Sequence, residues 1–135
     1  MIDSPVVLYV EDDPLSREIM KIILEYVLNC SSYFIFEDST DFAARLERLM
    51  AKPDVIFLDI HMEPLDGLSM LQIIRKMENF HDVPVIGLTA SVMNEEVQLL
   101  RQVGFNGAIA KPLNQDTFPD ALARILNNEQ VWRIS

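Results

Sequence analysis

The sequence has little of several features that would place it in a specialised class. It contains a single cysteine, Cys30, so no disulfide can form within the chain, and we expect a reducing compartment with Cys30 as a small buried residue. Its 11 Lys and Arg side chains are outnumbered by 21 Asp and Glu, which leaves a net charge of −10. A nucleic-acid surface needs clustered basic residues, so we expect no nucleic-acid partner.

The chain also lacks long hydrophobic runs. None approaches the roughly 20 apolar residues of a membrane span, and the first ten residues lack the basic start and long apolar core of a signal peptide. We therefore expect a cytoplasmic protein with no membrane partner. Half of the residues are hydrophobic, which predicts one globular domain over residues 1–135, with a core at about 6–128 and a short tail at 129–135.

What the sequence does contain is a series of short apolar runs that end in polar residues. The most apolar run, residues 55–58, ends at Asp59 and is typical of a strand buried on both faces. Similar runs precede Asp12 and Asp13, Thr89 and Lys111. A further short apolar run lies at residues 33–36. These patterns predict five strands.

Amphipathic helices alternate with these strands. After the first strand, apolar residues recur with helical spacing and predict a buried helix face: Leu15, Ile19, Ile22, Ile23, Tyr26 and Val27. Comparable patterns follow each of the other strands, and no element is predicted for the tail. Regular alternation of strand and helix predicts an α/β fold, a doubly wound parallel sheet with helices on both faces.

The polar residues after the strands should gather at one edge of the sheet, because parallel strands all end there. Carboxylates at Asp12, Asp13 and Asp59 would repel one another without a cation, and a ligand set made only of oxygen suits Mg²⁺. Lys111 and the Thr89 hydroxyl could bind an anionic group, as phosphoryl transfer requires. Asp59 ends the most buried strand and is the best candidate for a nucleophile.

In this order and spacing the motifs resemble the response-regulator receiver domain of two-component signalling. The resemblance runs from Val6 to about Leu126, and its motifs are Glu11-Asp12-Asp13, Asp59, Asp66-Gly67, Thr89-Ala90 and Lys111-Pro112. It implies a flavodoxin-like (βα)5 fold, with a phosphoryl group transferred to Asp59 from a sensor histidine kinase or a histidine phosphotransfer protein. It also implies that Thr89 and Lys111 contact the phosphoryl oxygens.

The resemblance implies a metal site and a mode of action as well. Asp13 and Asp59 would bind Mg²⁺ directly, together with the backbone carbonyl of His61, and Asp12 would act through a water molecule. It would be a phosphoacceptor rather than an enzyme, and it would signal by contact with an unidentified downstream protein. The tail is too short for an output domain, so we expect a stand-alone receiver or one cut from a larger chain.

The chain departs from the family pattern at two places. Glu63 separates Met62 from Pro64, where the family often has Met-Pro. The family usually has an aromatic residue three positions before the lysine, and this chain has Ala108 there. A methyl group cannot swing between two positions, so we expect activation to work mainly through backbone shifts after Thr89 and after the phosphorylated strand.

Two alternatives remain open from the sequence. A haloacid-dehalogenase-like phosphatase also uses an Asp nucleophile, a Thr or Ser, a Lys and Mg²⁺, but it needs a second Asp where this chain has His61. A degenerate receiver that serves only as a docking module tends to lose the acidic pair or the lysine, and this chain has both. We therefore expect a receiver that can be phosphorylated.

Overall fold

The structure is a computed structural model that describes residues 4–30, 32–91 and 93–134. Its strands are β1 (Val6–Val10), β2 (Ser32–Phe36), β3 (Val55–Asp59), β4 (Val85–Thr89), β5 (Gly107–Ala110) and β6 (Val131–Ile134). Its helices are α1 (Pro14–Ile22), α2 (Phe42–Glu47), α3 (Gly67–Lys76), α4 (Asn94–Val103) and α5 (Phe118–Leu126). A wider, π-helical turn (Ile23–Val27) continues α1. None of these helices is long and apolar enough to cross a bilayer.

The strands form one parallel sheet in the order β2-β1-β3-β4-β5-β6. This confirms the predicted α/β, flavodoxin-like fold class, but the sheet has six strands rather than the predicted five. The sixth strand lies in the tail, where Val131 pairs with Gly107 and Trp132 pairs with Ala108. Four residues are too few for a pattern to show, and the tail becomes a strand because it pairs with the edge of β5.

Two apolar layers cover the two faces of the sheet, and β3 contributes to both. Val55 and Phe57 belong to the layer beneath α1 and α5, while Ile56 and Leu58 belong to the layer beneath α2, α3 and α4. All four side chains are fully buried, as predicted for a strand covered on both faces. Each such side chain contributes about 1.5–3 kcal/mol through its burial.

The buried face of α1 differs from the predicted face. Leu15 is 69% exposed and Tyr26 is 78% exposed, whereas Met20 and Leu24, which the prediction did not include, are buried beside Ile23, which it did. The helix carries apolar residues on two sides, so spacing alone allows more than one stripe. Packing against the sheet selects the stripe that contains Met20.

The β6 strand lies close against β5. A Cβ atom added to Gly107 would lie 2.3 Å from the carbonyl oxygen of Val131, so only glycine allows this approach. Val131 is buried, and the guanidinium of Arg101 lies 4.7 Å from the centre of the Trp132 ring. Pairing, burial and this stacking contact hold the tail to the domain.

Cys30 is buried, as predicted. Its Sγ atom lies 3.0 Å from the carbonyl oxygen of Pro5 and 3.2 Å from that of Ser32. Burial raises the pKa of the thiol, so the reactive thiolate is disfavoured at neutral pH.

Candidate functional site

The carboxyl edge of the sheet brings together groups from four strands. Asp59 ends β3 and Thr89 ends β4, while Glu11 follows β1 and Lys111 follows β5. The Lys111 Nζ atom lies 3.5 Å from Asp59 Oδ1 and 2.8 Å from Glu11 Oε1. The ammonium therefore sits between two carboxylates that belong to neighbouring strand ends.

Three carboxylates at this edge are placed to hold a cation. Glu11, Asp12 and Asp59 each offer an oxygen atom, and these atoms lie within 4.8 Å of one another. Glu11 is fully buried and Asp59 is 5% exposed, whereas Asp12 is exposed to solvent. Oxygen donors with one open side are typical of Mg²⁺, which keeps several of its waters. The residues present therefore fit this ion.

Asp13 does not belong to this cluster, contrary to the prediction that it would bind the metal directly. It caps the start of α1, where its Oδ2 accepts hydrogen bonds from the Ser16 backbone N–H at 2.9 Å and the Ser16 hydroxyl at 2.7 Å. The acidic pair at the site is Glu11 and Asp12, one residue earlier than predicted. The reason is local: β1 ends at Val10, so Glu11 already emerges at the sheet edge, and α1 needs a cap at position 13.

Glu11 is the site residue that the sequence reading missed. Its carboxylate accepts hydrogen bonds from the Tyr9 hydroxyl at 2.7 Å and from the Asp13 backbone N–H at 3.3 Å. Burial opposes its ionisation, but the hydrogen bonds from Asp59, Lys111 and Tyr9 outweigh that effect and lower its pKa. Its position directly after a buried strand is the sequence signal that could have identified it.

Asp59 lies in an unfavourable place for a negative charge. Burial, and then the neighbouring Glu11, raise its pKa to about 7, although the charge of Lys111 and a bond from the backbone N–H of His61 work in the opposite direction. Burial also opposes the charge of Lys111, but its ion pairs with Glu11 and Asp59 raise its pKa overall. A cation at this edge would favour the ionised form of Asp59.

The loop after Asp59 is held close to the end of β3. The Gly67 N–H donates to the carbonyl of Ile60 at 2.9 Å, and a Cβ on Gly67 would lie 2.9 Å from the Ile60 Cα. Asp66 caps α3 by accepting a hydrogen bond from the Ser69 N–H at 2.8 Å. Asp66-Gly67 therefore starts the helix directly against the strand that carries Asp59.

A second contact fixes the same loop from the other side. The buried Ser39 hydroxyl donates to the carbonyl of Leu65 and accepts from the Leu65 N–H, both at 2.8 Å. Its partner lies 26 residues away, so no local pattern reveals this contact.

Thr89 and His61 share one partner on α4. The buried Thr89 hydroxyl donates to Glu96 Oε1 at 3.1 Å, and the Ser91 N–H donates to Thr89 Oγ1 at 3.1 Å. The His61 Nε2 atom lies 3.5 Å from the same Glu96 oxygen, on a side chain that is 74% exposed. The predicted role of the His61 backbone carbonyl stays a prediction.

Comparison with known proteins decides the family. Residues 7–123 match the model of the response regulator receiver domain. The chain belongs to this family. The receiver domain is 31% identical over 123 residues to the transcription factor SKN7 of Saccharomyces cerevisiae, with 90% of this chain and 19% of SKN7 covered. It is 25% identical to the polar-differentiation response regulator DivK of Brucella ovis, with 90% of this chain and 96% of DivK covered.

The receiver domain also resembles solved structures. It is 28% identical to the receiver domain of the sensor histidine kinase PA1611 from Pseudomonas aeruginosa PAO1, with a TM-score of 0.78, and 92% of this chain and 98% of that chain are covered. In that structure a magnesium ion is coordinated in the active-site cleft. The chain spans about a fifth of the length of SKN7, so comparison with SKN7 concerns one part of that protein.

The chain is therefore a receiver domain, and this family is a phosphoacceptor signalling domain of two-component systems. The cluster of Glu11, Asp12 and Asp59 fits a phosphoacceptor site. Neither the phosphatase nor the degenerate docking module is favoured, because the family match is to receivers and the acidic cluster and lysine are in place.

Proposed function

We propose that Asp59 accepts a phosphoryl group from the phosphohistidine of a sensor histidine kinase or a histidine phosphotransfer protein, and that the phosphorylated domain signals by contact with a downstream protein. One observation carries this proposal. A buried carboxylate at the end of a central strand lies 3.5 Å from the Lys111 ammonium and beside two further carboxylates. The site thus combines a nucleophile with positive charge and a cation-binding cluster.

The transfer step follows from these groups. A carboxylate oxygen of Asp59 attacks the phosphorus atom while the bond from phosphorus to the donor imidazole nitrogen breaks. The bonding electron pair stays on that nitrogen, which takes a proton from solvent, and an acyl phosphate forms on Asp59. The Lys111 ammonium offsets charge on the phosphoryl oxygens, and the Thr89 hydroxyl can donate to one of them.

Asp12 and Asp59 would hold Mg²⁺ beside Glu11, and the ion would supply positive charge against the phosphoryl oxygens. The phosphoryl group remains on the chain, so the domain is a phosphoacceptor rather than an enzyme that acts on a separate substrate. We propose a cytoplasmic location and protein partners, with neither nucleic acid nor membrane bound. The net charge of −10 supports partners other than nucleic acid.

The acceptor is tested with small phosphoryl donors. The protein is incubated with Mg²⁺ and either phosphoramidate, which has the phosphorus–nitrogen bond of the proposed donor, or acetyl phosphate. We expect intact mass to show one acid-labile phosphoryl group, which Asp59→Asn abolishes. The matched control is Asp54→Asn, because Asp54 lies just before the same strand and binds the Val6 N–H at 2.7 Å, away from the site. Undiminished labelling of Asp59→Asn would refute the assignment.

The donor class is tested separately with a histidine phosphotransfer protein that carries a radiolabelled phosphoryl group. We expect label to leave the donor and to appear on this chain, and to remain on the donor when Asp59→Asn is supplied. Labelling by phosphoramidate without transfer from any phosphohistidine protein of the same cell would contradict the proposed donor.

A further inference from the structure

The hydroxyl proton of Thr89 is already engaged before any phosphoryl group arrives. Thr89 is 1% exposed, and its Oγ1 lies 3.1 Å from Glu96 Oε1. The Ser91 N–H donates to the same hydroxyl oxygen at 3.1 Å. A carboxylate only accepts hydrogen bonds, so the hydroxyl donates to Glu96.

A hydroxyl carries one proton and can donate it to one acceptor at a time. A phosphoryl oxygen on Asp59 and the carboxylate of Glu96 are therefore competing acceptors for the same proton. Both bonds are charge-assisted, and such bonds are roughly twice as strong as neutral ones. The two hydrogen bonds are of similar strength. Which acceptor Thr89 binds therefore depends on the other hydrogen bonds that Glu96 can make.

Glu96 has a second possible donor close by. The His61 Nε2 atom lies 3.5 Å from the oxygen that accepts the Thr89 proton, and the Glu96 side chain is 20% exposed. When the Thr89 hydroxyl turns away, His61 and water can replace it, so Glu96 is not left unpaired. The rearrangement breaks one hydrogen bond without leaving a buried charge alone.

We propose that Glu96 is a positioning residue that holds the Thr89 hydroxyl away from Asp59 and sets how strongly the domain binds a phosphoryl group. The inference rests on the proposed function, since it assumes that the phosphoryl group is on Asp59. Phosphorylation breaks the bond from Thr89 to Glu96 and forms one from Thr89 to a phosphoryl oxygen. The start of α4 is released from the loop after β4 in the same step.

Removal of Glu96 should therefore strengthen phosphoryl binding. The probe is beryllofluoride, which mimics the phosphoryl group of an acyl phosphate, with Mg²⁺ present. We expect Glu96→Ala to bind it about three- to tenfold more tightly than the wild type, because the Thr89 hydroxyl no longer has a charged partner to leave. Glu96→Gln keeps a neutral acceptor and should lie between the two.

The matched control is Glu95→Ala. Glu95 is exposed, precedes Glu96 in the first turn of α4, and carries the same charge. Its removal changes the charge near the site but leaves the acceptor of Thr89 in place. Equal strengthening by Glu95→Ala and Glu96→Ala would show a general charge effect and would overturn the proposal.

A double-mutant cycle isolates the hydroxyl. Thr89→Val keeps the shape of the side chain and removes the donor, so Glu96→Ala should have no further effect on beryllofluoride affinity in that background. A further readout needs no phosphoryl mimic: in Glu96→Ala the amide resonances of Thr89 and Ala90 should shift towards their beryllofluoride-bound positions. An effect of Glu96→Ala that persists in Thr89→Val would refute the role of this hydrogen bond.

Measurements on the wild-type protein distinguish a failure of the proposed function from a failure of the Glu96 inference. Wild-type protein that neither takes up phosphoryl groups nor binds beryllofluoride would overturn the proposed function, and the Glu96 inference with it. Wild-type protein that does both, with affinities of Glu96→Ala and Glu95→Ala both equal to its own, would overturn the Glu96 inference alone.

Discussion

Asp59 is the residue of the site whose ionised form the fold disfavours, since its pKa is raised. Asp59 is buried beside Glu11, and Lys111 offsets only part of the repulsion between their charges. Functional sites commonly carry such a cost in stability, and their replacement by neutral groups often stabilises the protein.

The raised pKa of Asp59 predicts how stability depends on pH. Its pKa is about 7 in the folded protein, against an ordinary value of 3.8, so the folded state binds more protons than the unfolded state between those values. Without a metal ion, the contribution of Asp59 should therefore reduce stability as pH rises from about 4 to about 7. Asp59→Asn removes this effect and should be more stable at pH 8 by about 0.5–2 kcal/mol.

Urea unfolding in the presence of a chelator measures this difference. The difference between wild type and Asp59→Asn should be large near pH 8 and should shrink as the pH falls below about 4, where the carboxyl becomes protonated in both states. A difference of the same size at both pH values would show that the charge of Asp59 is not its cause.

The identity of the acidic pair gives a second prediction at this scale. Asp12→Asn should weaken Mg²⁺ binding by at least about tenfold, since even outer-shell changes at metal sites have effects of that size. Asp13→Asn should leave binding nearly unchanged, because Asn also caps helices well and the Asp13 carboxylate points to Ser16.

The rise in melting temperature with Mg²⁺ reports on both variants, since an ion that binds only the native state stabilises it by mass action. The two substitutions make the same chemical change at adjacent residues, so each is a control for the other. Loss of the Mg²⁺ response in Asp13→Asn, and not in Asp12→Asn, would contradict the proposed binding of Mg²⁺ by Asp12.

At the scale of the elements, the packing of β6 against β5 depends on Gly107. Gly107→Ala would put a methyl group 2.3 Å from the Val131 carbonyl oxygen, so the strand would have to move. We expect the free energy of unfolding to fall by about 1–3 kcal/mol, as for other overpacked sites. Trp132, the single tryptophan, should then emit at longer wavelength because its indole becomes exposed.

A chain shortened to end at Gln130 lacks the contact altogether and is the control. In that background Gly107→Ala should have much less effect on stability, because the Val131 carbonyl oxygen that lies 2.3 Å from the new methyl group is absent. An equal loss of stability in the full and shortened chains would show that β6 is not what the methyl group displaces.

For the whole molecule, we consider how strongly phosphorylation of Asp59 is coupled to the face around Ala108. Ala108 is fully buried and pairs with Trp132, whose ring is held by Arg101 and packs on the same apolar layer. Neither residue can therefore replace an aromatic side chain at position 108 that changes rotamer freely. Coupling between the site and this face should fall at the low end of the usual range of about 1–3 kcal/mol.

Beryllofluoride should therefore shift the amide resonances most in the loops after Thr89 and Asp59, with little change in the emission of Trp132. Nuclear magnetic resonance mapping and fluorescence measure the two responses on the same samples. Shifts on the face of Ala108 as large as those at Thr89 would show that this face moves without an aromatic switch.

Much of the fold could be predicted from the sequence because burial leaves a local pattern. The run from Val55 to Leu58 is apolar at every position, and such a strand has to be covered on both sides. Alternation of strand and helix then predicts a parallel sheet whose strand ends meet, which brought Asp59, Thr89 and Lys111 to one edge. These conclusions need only the order of neighbouring residues and the right-handed crossover between parallel strands.

Other features depend on contacts that no local pattern contains. Three acidic residues follow β1, and only the end of that strand and the start of α1 decide that Glu11 and Asp12 face the site while Asp13 caps the helix. The α1 helix has two apolar stripes, and packing selects one of them.

The sequence alone therefore determined the fold class and the position of the site. Apolar periodicity is a local property that predicts the strands and helices, and parallel strands all end at the same edge of the sheet. Only the tertiary structure decided which carboxylates meet, that the tail forms β6, and that Thr89 binds Glu96. Each of these depends on distances between separate segments, and those distances exist only once the strands and helices have packed.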